Sequence, residues 1–168
     1  MPDAQPAPDS LPLECEACQP WLRAIQDSYA YLFQEHGFRL AHCAAAQQGE
    51  HCLIVLASDQ AQVKFEIDHG RPVMYVGTLA SPVGWGQQVD GVPVWYVDNA
   101  LLNFMEHPTR PTDPAPAPLA GLVAAAARLR PHAAAVLAAF ASDGPAAWWQ
   151  AFNAYQAERL AQLRQRAL

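Results

Sequence analysis

The residues best equipped for chemistry in this chain are four cysteines and the histidines beside them. Cys15 and Cys18 form a C-x2-C pair, and Cys43 and Cys52 follow, each directly preceded by a histidine, His42 and His51. Closely spaced thiolates can close a tetrahedral zinc shell. Cys15, Cys18, Cys43 and Cys52 are therefore the candidate metal ligands, and zinc the candidate cofactor. The spacing departs from a zinc ribbon, which repeats its C-x2-C knuckle, because eight residues and a turn separate the second pair. Without zinc, Cys43 and Cys52 read as small buried hydrophobes and the chain needs no cofactor.

Hairpin geometry narrows the options. If Gln48-Gly49 is a two-residue turn, Cys43 lies opposite Ile54 and Cys52 opposite Ala45. Both cysteines then share one sheet face, and His42 and His51 share the other, which excludes a Cys2His2 site from these four residues. A four-thiolate site requires Cys15 and Cys18 to fold over the cysteine face just before the first helix. A one-residue change of register would instead set each cysteine beside the histidine of the other strand.

Other chemistry has weaker support. Cys18 stands near a helix start, a setting that favours a thiolate, but Glu14 and Glu16 oppose one and no histidine is close in sequence. Asp59, Glu66, Asp68 and His69 could form an acid and base set, although turns select Asp and Gly for backbone reasons alone. The sequence holds no G-x-S-x-G elbow, glycine-rich phosphate loop or H-E-x-x-H. Trp85, Trp95 and Tyr96, with Asp90 and Asp98, fit a partner-binding face rich in hot-spot residue types. Ordinary core packing is the competing reading for each tryptophan.

The elements that must position these residues follow from periodicity. Pro20 suits a first helical turn, and Trp21, Leu22, Ile25, Tyr29, Leu32 and Phe33 recur at helical spacing until Gly37 stops the helix. The period then changes to two. Phe38–Ala44, His51–Ala57, Ala61–Ile67 and Pro72–Thr78 read as four strands of an antiparallel meander joined by short turns. The unbroken run Leu53–Leu56 marks a central strand. In the third strand Val63, Phe65 and Ile67 alternate with Gln62, Lys64 and Glu66, so the second face is expected to be exposed to water. Residues 81–93 read as a long loop, and Asp98 opens a short helix that Pro108 ends.

The expected fold class is α+β: an N-terminal helix, a four-stranded antiparallel meander, a short helix and a C-terminal α-helical hairpin. Residues 1–13, with four prolines, read as a disordered tail, 14–107 as the α+β domain, 108–118 as a proline-rich linker, and 119–168 as the helical hairpin docked on the same domain.

Charge and composition exclude some partners. The net charge is −6, and residues 1–113 carry fourteen acids against five bases, the opposite of the basic surface that nucleic-acid binding uses. The longest apolar stretch, Leu119–Ala141, is interrupted by Arg128, Arg130, Pro131 and His132, so no membrane span is expected. The first residues, Met1-Pro2-Asp3-Ala4-Gln5-Pro6, lack the basic start and apolar run of a signal peptide. A cytoplasmic location with reduced or metal-bound cysteines is the expectation.

Leu53–Asp59, Val63–Ile67 and Trp95–Leu102 together resemble small uncharacterised bacterial proteins of immunity type, over about residues 20–106. The resemblance implies a helix, a meander and a Trp-Tyr-led helix in that order, and carries over no functional residues. The function expected is non-enzymatic binding of a partner protein, as an immunity-like or accessory subunit of the bacterial cytoplasm. The alternative is a small-molecule-binding or zinc-supported domain with its site near Cys43 and Cys52.

Overall fold

The computed structural model describes residues 13–109 and 121–166. All but Leu13 of the proposed tail, and all but Pro108 and Thr109 of the proposed linker, lie outside the described residues. The fold is α+β. A 3-10 turn, Leu13–Cys18, leads into α1 (Gln19–Ser28) and α2 (Ala30–His36). The sequence predicts these as one helix, but the buried Tyr29 breaks it with φ −108° and ψ 31°. Gly37 closes α2 in the left-handed region, as its position after the periodic residues predicts.

Four strands then form the expected meander: β1 (Arg39–Ala46), β2 (His51–Ala57), β3 (Gln62–Asp68) and β4 (Arg71–Gly77). A two-residue pair, β5 (Gln88–Val89) and β6 (Val92–Pro93), makes a small separate hairpin, and β7 (Trp95–Val97) adds a fifth strand beside β4. Periodicity did not reveal β7, because three residues are too few to show a period of two. The β1–β2 register is the one the turn dictates: Cys43 pairs with Ile54 and Ala45 with Cys52. Cys43 and Cys52 therefore share a face, with His42 and His51 on the other.

The cysteine face carries the main core. Ile54, Leu56, Phe65, Ile67 and Val76 pack there against Leu22, Ile25 and Leu32 of α1 and α2. The remaining helices are α3 (Asp98–Glu106), α4 (Gly121–Leu129), α5 (Ala133–Phe140) and α6 (Ala146–Arg166). By length and composition the stretch Gly121–Phe140 could cross a membrane. Here a 3-10 turn at Arg130–His132 divides it, and Leu122, Leu129, Val136, Leu137 and Phe140 are buried in the same core as the sheet. Trp148 and Trp149 of α6 are both half-buried, meeting at 5.2 Å between ring centroids, and Trp149 Nε1 donates to the Ala139 carbonyl at 2.8 Å.

Cys15 and Cys18 do fold over the cysteine face, but as disulfide partners. Cys15 pairs with Cys43 and Cys18 with Cys52, with Cα–Cα distances of 5.4 and 5.8 Å, and all four residues are buried. Disulfides persist in oxidising compartments and are rare in the reducing cytosol. The cytoplasmic expectation is therefore corrected: the two buried bridges point to an oxidising periplasmic or extracellular setting. It had rested on the first residues of the chain, which bear no relation to these sulfurs. The four-thiolate zinc shell gives way for the same reason, since a disulfide sulfur has no thiolate to offer a metal.

The bridges close loops with sequence separations of 28 and 34. Constraining the unfolded chain over such a loop contributes roughly 3–4 kcal/mol per bridge in the chain-entropy view. Purified protein denatured without reductant should take up no thiol alkylator, and four equivalents after reduction. Reduction should lower the melting temperature markedly. Free thiols in the unreduced chain would contradict the pairing.

Candidate functional site

The second sheet face is not left to water, contrary to the alternation in β3. Lys64, the only lysine in the chain, is fully buried on it. Its Nζ donates to the carbonyls of Gly84, at 3.0 Å, and Gly86, and sits 2.7 Å from Glu66 Oε1. The Tyr75 and Trp95 rings flank it at 4.9 and 4.8 Å. Burial pushes the ammonium below its ordinary pKa, and the Glu66 carboxylate opposes that shift. A compact ammonium fits between two carbonyls and a carboxylate where the planar fork of arginine would not.

Lys64 thereby fastens residues 79–94 to the sheet. Gln62 Nε2 donates to the Leu79 carbonyl at 2.8 Å, Gly86 N to Glu66 Oε1 at 2.8 Å, and Trp95 Nε1 to the Pro82 carbonyl at 3.0 Å. Gly77 permits the approach, since a Cβ there would come within 2.6 Å of Ser81 Oγ and 2.7 Å of the Trp95 ring. Within the loop, Asp90 and Gly91, with φ of 52° and 80°, form the turn of the β5–β6 hairpin. The loop is held from beneath yet turns Leu79, Val83, Trp85, Val89 and Val92 outward, Trp85 being 50% exposed and Val92 62%.

The five residues read as a partner-binding face divide between surface and core. Trp85 and Asp90 are exposed on the loop, while Trp95 and Asp98 are 2% and 1% exposed. Tyr96 is half-buried against Phe140, Trp149 and Phe152. The acid and base set also divides. Asp59 lines an open polar depression of about 670 Å³ with Glu35, His36 and Arg39, at the start of β3, whereas Asp68 and His69 lie at its far end and Glu66 serves Lys64.

A cluster the sequence did not assemble forms at that far end. Asp68 pairs with His51 across β2 and β3, and its Oδ1 lies 3.0 Å from His51 Nδ1 and 2.7 Å from His69 Nδ1. His69 Nε2 is 3.6 Å from Glu50 Oε2. The His69 hydrogen bond holds the exposed Asp68 carboxyl below its ordinary pKa. The two rings meet edge to face at 4.8 Å, and His51 meets Trp85 at 6.4 Å.

A second polar cluster joins α3 to α4. Arg128 donates through Nε and one terminal nitrogen to both oxygens of Glu106, each at 2.8 Å, and also reaches Asn99 Oδ1 and Asn103 Oδ1 at 3.1 and 2.6 Å. This bond keeps the Glu106 carboxyl low. Beside it Asp98 is buried, with Oδ1 accepting from Asn99 N at 2.7 Å and Oδ2 without a partner. Burial pushes Asp98 up to about 6 from 3.8, while the Asn99 amide and Arg128 pull the other way. Asp98 is thus a core group of α3's first turn rather than a surface contact.

Comparison with protein families, curated proteins and solved structures finds no match to this chain.

Two substitutions test these assignments. Removing one member of a buried charge pair costs about 3–5 kcal/mol, so Lys64→Met should destabilise the protein on that order. It should also release residues 79–94 to limited proteolysis; an unchanged cleavage rate would show that the loop is held otherwise. For Asp98, the raised folded pKa means the native state binds more protons than the unfolded chain between about pH 4 and 6. Stability attributable to this group is therefore full below pH 4 and falls as pH rises through 6. Asp98→Asn should match wild type in chemical denaturation near pH 4 and exceed it at pH 7, by up to about 3 kcal/mol for a carboxyl raised from 3.8 to about 6.

Proposed function

We propose that this chain is a non-enzymatic protein-binding domain, of the accessory-subunit or immunity-like kind, that engages a partner protein in an oxidising compartment through residues 79–94. The observation that carries this reading is the loop itself. Five apolar side chains face solvent on a segment whose backbone is tied to the sheet by Lys64, Gln62 and Trp95. Exposed apolar side chains grouped on one segment favour contact with another macromolecule, and a segment already ordered loses little conformational entropy on binding. Trp85 is the residue type most enriched among binding hot spots, and Asp90 is exposed on the neighbouring turn.

The test is photo-crosslinking in the native host, with a crosslinking amino acid at Val83 or Val92 and, as control, at the exposed Val123 of α4. A discrete adduct from the loop positions alone, abolished by Trp85→Ala without change in melting temperature, supports the reading. Equal adducts from Val123, or none from the loop, would overturn it.

A further inference from the structure

We propose that His51, His69 and Glu50 form a binding site for a divalent transition-metal ion of the zinc class, with Asp68 orienting both imidazoles. The proposal is independent of what the loop binds. One donor atom from each of Glu50, His51 and His69 lies within 4.8 Å of the others. Ligands at zinc distances of about 2.0–2.2 Å sit somewhat closer together in a tetrahedral shell. The adjustment falls to side chains with room to make it, since those of Glu50 and His69 are 62% and 63% exposed.

Asp68 is what distinguishes this cluster from an accidental meeting of polar groups. One carboxylate oxygen faces the Nδ1 atoms of both rings, at 3.0 and 2.7 Å. A carboxylate there accepts from Nδ1 and favours the tautomer whose Nε2 lone pair is open to a metal, the arrangement of a carboxylate–histidine–metal triad; for His51 that lone pair opens once Nε2 gives up its hydrogen bond to Gln47 Oε1. Here a single aspartate does this for two histidines. Nε2 of His69 then faces Glu50 Oε2 at 3.6 Å, and Nε2 of His51 faces Gln47 Oε1 at 2.9 Å. Two imidazole nitrogens and one carboxylate make a three-ligand set with an open position, reached when the Gln47 side chain swings aside from His51 Nε2.

The backbone sets these groups together before any ion arrives. The β2–β3 ladder pairs His51 with Asp68, and His69 N donates to the Glu50 carbonyl at 3.0 Å, joining the two turns. Two imidazoles favour zinc, copper or nickel over calcium, which seeks six to eight oxygens. His42, on the same sheet face in β1, is not part of the cluster and serves as control.

Isothermal titration of the full chain, disulfides intact, with zinc chloride is the test. One equivalent of zinc should bind and calcium should give no heat. His51→Ala and His69→Ala should each weaken zinc binding by at least about tenfold, and Asp68→Ala by about ten- to a hundredfold through lost orientation. His42→Ala should leave it unchanged. Copper(II) gives a second readout: at the site it should quench Trp85, 6.4 Å from the His51 ring, and Trp85→Phe should remove that part of the quenching. Because Glu50, His69 and Asp68 are exposed, melting temperatures of their variants should stay near wild type, keeping a binding loss distinct from misfolding. Failure of wild-type protein to bind zinc, or binding unmoved by His51→Ala and His69→Ala, overturns the proposal.

Discussion

The pairing of β1 with β2 governs both faces of this protein. Because side chains alternate along a strand, one register sends Cys43 and Cys52 to the helix side and His42 and His51 to the other. On the helix side the two cysteines stand close enough together for Cys15 and Cys18 to reach them, which ties the 3-10 turn Leu13–Cys18 to β1 and β2 at one edge of the sheet. On the opposite side His51 is brought against Asp68 of β3. A slip of one residue would turn one strand over relative to the other and set each cysteine on the face of the other strand's histidine, losing both arrangements at once.

The opposite face depends on one buried charge. An ammonium moved out of water carries a large desolvation cost, offset here by two loop carbonyls, the Glu66 carboxylate and two aromatic rings. Those partners come from β3, β4, β7 and the loop, so they converge only when the loop is seated. The same contacts that stabilise Lys64 therefore order residues 79–94 and fix which of their side chains face outward. The histidine cluster lies next to this loop through Trp85, so the two exposed features of this face are neighbours.

The helical half is attached by different means. Arg128 links α4 to α3 through Glu106, Asn99 and Asn103, and Arg130 meets Glu35 of α2 at 3.0 Å. Tyr96, Phe104, Phe140 and Phe152 interlock with Trp148 and Trp149. A broad apolar face on α6 accommodates both tryptophans although they lie about 100° apart around the helix. Asp98, buried beside this junction with one oxygen unpartnered, is a polar group held at a cost in stability near neutral pH.

The sequence by itself determined the local features: the helical stretch ending at Gly37, four strands of a meander, the short helix from Asp98, and the register that puts the cysteines on one face. Each rests on side-chain period or turn chemistry, which act over a few residues. It showed that a four-thiolate site would require Cys15 and Cys18 to fold over Cys43 and Cys52, but that proximity suits a zinc shell and two disulfides alike. Only the assembled core, with Cys15 against Cys43 and Cys18 against Cys52, decided between them and displaced the cytoplasmic reading. Tertiary structure likewise decided the fate of Lys64, which alternation assigned to water, because its partners Gly84 and Gly86 lie some twenty residues away. It separated Trp85 and Asp90 from Trp95 and Asp98, and it gathered Glu50, His51, Asp68 and His69 from two turns. Contacts between segments distant in the chain leave no period to read, so their chemistry emerges only when the strands are side by side.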